Sequence, residues 1–408
     1  MNVIIIIQMA WRNIWRNKVR SLIIISSVAI GLVAGLFVLS LYKGILEDRV
    51  RTVIDREVSH LQVHHVRFKE DFDPKYVIPG KDELIEHLHH LPTVKVFTSR
   101  TVAQGMLATG TGSSAIQLVG VDPEQENQVS GLNAKLKDGK GFSNGKKNQL
   151  LIGKKLADKM HLKVGSKAIL TFIDKESNIV SGAFRVAGIY QTDNTPMDER
   201  IAFVKQDDLR LYLSLDGEVH EIAILLQKDG DVEDVQAALK SKYPELKIES
   251  WKEISPETKL MIETTDQYSL IFIIIIMLAL SFGIVNTMLM AVLERSREIG
   301  MLLALGMNRV KIFSMILTET VFLTITGVPT GVFATWVIVK IYHRHGLDIS
   351  ALGGQAMSEF GFSSMIYPAF PWEKILSQML IVLMAALLSS LIPAIKAIGL
   401  RPVEALQK

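Results

Sequence analysis

Cysteine is absent from the 408 residues, which excludes disulfides and thiolate chemistry and suits either an oxidising or a reducing compartment. A phosphate-binding loop of the form G-x-x-x-x-G-K-[ST] is also missing. Its nearest approach, Gly141–Lys147, has the wrong spacing and no Ser or Thr after Lys146. Neither a nucleophile elbow nor an H-E-x-x-H pair occurs, so no catalytic site is legible and the chain reads as a non-enzyme. The net charge is only +3, and no basic stripe is interleaved with aromatics, which argues against a nucleic-acid partner.

What is abundant is apolar residue, 49% of the chain with a mean hydropathy of +0.27. It is concentrated in four runs, near 22–43, 268–293, 314–339 and 375–395, each long enough to cross a hydrocarbon core of about 30 Å. The first run follows Arg12, Arg16, Lys18 and Arg20 and is longer than a signal-peptide core, so it reads as an uncleaved anchor. Basic residues also mark the segment between the second and third runs (Arg295, Arg297, Arg309, Lys311) and the tail (Lys396, Arg401, Lys408). These three stretches are therefore expected on the cytoplasmic side. Residues 44–267 and the loop 340–374 then lie outside, with both termini, 1–21 and 396–408, inside.

Residues 2–20 place Met9, Trp11, Ile14, Trp15 and Val19 near helical spacing, which predicts an amphipathic helix at the membrane surface. The polar middle reads as an α/β module. Expected elements are strands near 59–66, 94–108 and 114–121, a helix at 82–90, and later helix, strand, helix and strand at 206–213, 221–226, 232–242 and 246–250. A β-rich insert occupies about 122–204. Stalk-like helices are expected at 43–57 and from 255 towards Tyr268. Gly327 and Pro329 predict a kink in the third span, and the last span is expected to end near Pro393.

His60, His64 and His65, with His87, His89 and His90, invite a metal site. Without a well-spaced carboxylate or Cys partner they read as solvated surface histidines, so no metal or cofactor is expected on this chain. Glu319 lies inside the third run and is expected to anchor the helix, paired with Arg309 or Lys311. The segment 294–313 carries Glu294, Arg295, Arg297 and Glu298 with Gly300 and Gly306, and Leu302 lies in its apolar stretch Met301–Leu305. It suits docking into a groove of a cytosolic partner and suits equally a tight turn re-entering the membrane.

The stretch ERSREIGMLLALG, Glu294–Gly306, resembles the coupling segment of FtsX/MacB-type ABC transporter permeases. The tail PAIKAIGLRPVEALQ, with Pro402, Val403 and Glu404, resembles their closing motif, and WRNIWRNKVRSLIIISSVAIG their entry to the first span. HLQVHHV with YVIP, and FRVAGIYQTDNTPMDERIAFV, are similar to the lipoprotein-releasing LolC/LolE-type branch.

The resemblance implies four membrane helices with a large α+β extracytoplasmic domain of the MacB-like periplasmic core type, in a bacterial inner membrane. It also implies a second permease chain and a separate cytosolic ABC ATPase dimer that supplies ATP and Mg. Membrane lipids, lipoprotein cargo and a periplasmic chaperone complete the expected partners. The rival expectations are a tripartite efflux permease and a regulator of cell-wall hydrolases. An apolar cavity for acyl chains is expected from the first two spans.

Overall fold

A computed structural model describes residues 3–16, 18–143, 145–192, 194–350 and 365–400. It separates into two compact units. One is helical and is formed by the chain up to Leu46, by Ile262–Leu347 and from Met365 onward; the other is built chiefly from Glu47–Met261.

Among the described residues, four helices are long and apolar enough to cross a membrane. They are Lys18–Thr52, Pro256–Glu294, Arg309–His345 and Ile375–Ile398, here called the first to fourth spans. The first presents Ile24, Val28, Leu32 and Leu36, one per turn, to the centre of the unit. In lipid the hydrophobic effect does not draw helices together, so close approach at small residues must do so. Gly327 and Gly331 of the third span supply it, because a Cβ on either would come to 3.0 Å of Val28 or Leu32.

Pro329 sits between those glycines inside an unbroken helix, and threonine hydroxyls from Thr320 to Thr335 bond to the preceding turn. The fourth span does not stop at Pro393 as expected but runs on to Ile398. Pro393 and Ala394 are buried there, so packing outweighs the missing N–H.

Where an apolar cavity was expected between the first two spans, Leu280 of the second occupies the space beside Gly31 of the first. An apolar groove of about 590 Å³ lies instead between the second and fourth spans, walled by Met277, Phe282 and Val285 on one side and Met384, Leu388 and Ile392 on the other.

The second unit is organised by one sheet of ten strands. In chain order these are β1 Leu61–His65, β2 Val94–Thr109, β3 Gly112–Val121, β4 Leu136–Gly139, β5 Gln149–Gly153, β6 Lys167–Ile173, β7 Ile179–Tyr190, β8 Ile201–Lys205, β9 Glu221–Leu226 and β10 Leu246–Ser250. Their spatial order is β10-β1-β9-β2-β3-β8-β5-β7-β4, with β6 pairing both β2 and β7. Among the described residues, β3–β8 and β5–β7 pair in parallel.

Helices Lys81–His90 and Val232–Lys242 cover β1, β9 and β10 through Leu84, Leu88, Val235 and Leu239. Helix Gln206–Leu213 packs Leu209 and Leu213 against Leu118, Leu150 and Phe184. The β-rich stretch expected as an insert thus shares a sheet with its flanking module, through the β3–β8 and β2–β6 seams. In β6 the pattern is half-buried, with Ala168, Leu170 and Phe172 inward and Lys167, Ile169 and Ile173 outward.

Two of the histidines read as solvated are interior. His60 accepts from the Leu226 backbone N–H at Nδ1 and meets Asp229 at Nε2. His64 is fully buried and stacked on Phe68, which also stacks on buried His220. A two-faced strand buries both sides, so alternation along β1 does not expose either ring set fully. Burial pushes His64 and His220 down to about 4, so both are neutral near pH 7.

Nearby, buried Arg100 makes a two-pronged pair with Glu126, both bonds 2.8 Å, and reaches Glu221 at 2.7 Å. Burial opposes its charge, yet the two carboxylates override this and raise its pKa. Among the described residues no group of three or more His, Asp or Glu side chains is placed to hold a metal ion.

Candidate coupling site

The second span ends at Glu294 because Arg295 leaves helical geometry, at φ −102° and ψ 14°. A separate short helix, Ser296–Ala304, follows and is closed by Gly306 at φ +86°, a left-handed conformation that suits glycine. Asn308 then caps the third span by accepting from the Val310 N–H at 3.0 Å. The segment is therefore a helix set between two sharp breaks, with Ile299 and Gly300 buried beneath it.

Its outer face carries Arg297, Met301, Ala304 and Leu305, and Leu305 is 85% exposed. Arg297 is exposed and makes no ion pair among the described residues. Leu302 is half-buried, and Gly306 is exposed with open space around it. A cation beside protruding apolar side chains, on a helix held at both ends, is a surface able to enter a partner's groove.

The inner face is tied down by charge. Arg295 donates to Glu298 and to Glu319, both at 3.3 Å, and Glu298 accepts from Arg16 of the N-terminal helix Val3–Arg16. Glu319 thus pairs with Arg295 rather than with Arg309 or Lys311, because Arg295 sits at the break and its side chain can fold back along the third span. Hydrogen bonding from Arg16, with help from Arg295, holds the Glu298 carboxyl below its ordinary range despite partial burial.

The N-terminal helix expected to lie on the membrane surface is also docked. Ala10 and Ile14 are buried, Trp11 meets Phe322 edge-on at 5.4 Å, and Ser21 Oγ donates to the Ile14 carbonyl at 2.6 Å.

Of the expected site residues Glu294, Arg295, Arg297, Glu298, Gly300, Leu302 and Gly306, the structure brings Arg295 and Glu298 together, and it adds Arg16, 282 residues before Glu298, which the sequence does not single out for this contact. The four-residue spacing of Arg12, Arg16 and Arg20 was its only trace. Pro402, Val403 and Glu404, expected as tail contacts, lie outside the described residues.

Comparison with known proteins matches residues 21–242, more than half of the chain, to the MacB-like periplasmic core domain. Residues 270–402 match the FtsX-like permease C-terminal family. The chain is 22% identical over 339 residues to the lipoprotein-releasing system transmembrane protein LolC of Neisseria meningitidis serogroup B, covering 79% of this chain and 78% of that one. It is 24% identical to the pyoverdine export ATP-binding/permease protein PvdT of Pseudomonas syringae pv. tomato, covering 98% of this chain and 59% of that one. The solved periplasmic region of MacB from Actinobacillus actinomycetemcomitans aligns with 51% of this chain and 95% of its own at 16% identity and a TM-score of 0.35. The two family matches lie on either side of residues 243–269 and between them reach into both units, so the chain belongs to the FtsX/MacB-type ABC transporter permeases.

Proposed function

We propose that this permease converts ATP hydrolysis in a separate cytosolic ATPase dimer into movement of its extracytoplasmic domain, and that the movement extracts lipoproteins from the inner membrane for a periplasmic chaperone. The observation that carries the coupling half is the chain of ion pairs Arg16–Glu298–Arg295–Glu319. It ties the docking helix to the N-terminal helix and the third span, so a push on Arg297, Met301 and Leu305 is passed on rather than absorbed. In this reading both termini are cytoplasmic, ATP and Mg belong to the ATPase, this chain binds no cofactor of its own, and a second permease chain completes the pair.

The lipoprotein half is supported by the LolC relative, which aligns over most of both chains. Extraction moves acyl chains out of lipid at about 0.8 kcal/mol per CH₂, a cost that calls for ATP. The groove between the second and fourth spans offers an apolar surface for such a chain. Depleting the protein and separating inner from outer membranes tests this reading. Outer-membrane lipoproteins should accumulate in the inner membrane, and unchanged sorting would rule out release.

A second reading, efflux of a small molecule or peptide, is favoured by the PvdT alignment across 98% of this chain. It expects unchanged lipoprotein sorting together with increased sensitivity to an exported compound.

A further inference from the structure

Gly141, Ser143, Lys146 and Lys147, from the stretch that comes nearest to a phosphate-binding motif in sequence, form one wall of a cavity of about 660 Å³ at the β4 end of the sheet. The facing wall comes from Val164 and Gly165, ahead of β6, and from Arg185 to Ala187 of β7. Its charged lining side chains are Lys140, Lys146, Lys147 and Arg185, and no acid lines it. Asp138, the acid closest to the loop in sequence, is not among the lining residues.

Two observations indicate that this positive charge awaits an external partner. None of the four side chains makes an ion pair among the described residues. Elsewhere in the same unit Lys69, Lys75, Lys154, Lys175 and Lys252 each hold a carboxylate at 2.6–2.9 Å. In addition, Arg185 stands directly opposite Lys167 in the antiparallel β6–β7 register. Like charges opposed across a ladder are destabilising unless something negative lies between them.

The wall is held in shape without using up its donors. Lys205 Nζ, from β8, donates to the Ser143 carbonyl at 2.7 Å and to the Lys146 carbonyl at 3.2 Å. The Ser143 N–H donates to Gln149 Oε1 at 2.8 Å. Arg185 spends one Nη1 donor on the Gly165 carbonyl at 2.8 Å and keeps the rest of its fork for the cavity. Gly139, at φ +90°, lets the backbone lie against Ala187, where a Cβ would collide with the Ala187 carbonyl.

We propose that this cleft binds a phosphate-bearing anion, either an anionic phospholipid headgroup or a soluble phosphate ester. Three ammonium groups and a guanidinium around one cavity match a compact group with several acceptor oxygens and more than one negative charge. The inference goes beyond the proposed transport role and stands whether or not lipoproteins are the cargo.

The test uses the full chain in an uncharged detergent, titrated calorimetrically with inorganic pyrophosphate, with short-chain phosphatidylglycerol and with short-chain phosphatidylcholine. Saturable binding of pyrophosphate or phosphatidylglycerol, absent for phosphatidylcholine and weakened by salt, is expected. Arg185→Gln, and separately Lys146→Gln with Lys147→Gln, should each weaken it by about tenfold or more. Preference for phosphatidylglycerol assigns the site to a lipid surface, and preference for pyrophosphate to a soluble ester.

Without ligand, Arg185→Gln should melt no lower than the parent, because it removes the repulsion with Lys167. Absence of saturable binding of both anionic probes, or binding unchanged in both variants, would overturn the proposal. Binding of polyglutamate in preference to either phosphate probe would overturn it as well, pointing to an acidic protein instead.

Discussion

Arg295 Nη1 lies 3.3 Å from Glu319 Oε2, joining the break at the end of the second span to a carboxylate buried one helix later. Both side chains are largely shielded, and when Glu319 is removed Arg295 keeps Glu298, also at 3.3 Å, as an acceptor. We expect Glu319→Ala to lower the stability of the helical unit by about 1–3 kcal/mol, the cost of a shielded charge losing one of its hydrogen-bonded partners. Thermal melting in detergent would register this. Arg295→Met combined with Glu319→Leu should recover most of the loss while leaving the ATPase unstimulated.

Arg297 tests the docking face separately from folding. Its side chain is exposed and makes no ion pair among the described residues, so Arg297→Glu should leave melting within about 0.5 kcal/mol of the parent. Copurification of the ATPase should nonetheless be lost. Retention of the ATPase by this variant would rule out the outer face of Ser296–Ala304 as the contact.

Gly300→Pro attacks the same helix from inside. Proline at a buried mid-helix position costs about 3 kcal/mol or more and removes one turn of backbone bonding. Membrane insertion should survive, since the spans on either side are unchanged. ATPase docking should not, and a pull-down from solubilised membranes distinguishes the two.

Arg100 holds the second unit together in a comparable way. Arg100→Met leaves the Glu126 and Glu221 carboxylates buried without their cation, and we expect a loss of about 3–5 kcal/mol. Hydrogen exchange at β9 and β2, which flank the pair, should rise in the intact chain.

The buried histidines give this unit a pH dependence with a defined sign. His64 and His220 titrate near 4 when folded and near 6.5 when unfolded, so between those values the unfolded chain binds more protons. Stability is therefore complete above about pH 6.5 and falls as the pH drops towards 4, by roughly 3 kcal/mol per histidine at most. His220→Gln should flatten the curve of melting temperature against pH. A slope unchanged in that variant would show that other groups control it.

Local signals carried most of the fold. The strands at 221–226 and 246–250 and the helices at 206–213 and 232–242 lie where apolar spacing placed them. Helix Pro123–Ser130 was missed although Asp122 caps it and Pro123 opens it, because the surrounding stretch was read for β patterning. The continuity of the sheet was not legible, since β3 meets β8 across some eighty residues and nothing local encodes that register. The short helix Ser296–Ala304, set between two breaks, was legible from its charges and glycines. Its lock was not, because Arg16 and Glu298 meet only after the helices have packed.

The seam between β3 and β8 has a mechanical meaning. Five residue pairs there, with four more between β2 and β6, weld the two halves of the sheet without a flexible linker. Measured along the ladder, the nine strands from β10 to β4 span roughly 40 Å at about 4.8 Å per step. A twist applied to the edge at β10 and β1 is thus borne by cross-strand hydrogen bonds all the way to the lysine-lined cleft. The domain behaves as a plank rather than as beads on a string, and a small rotation at one margin becomes a larger sweep at the other.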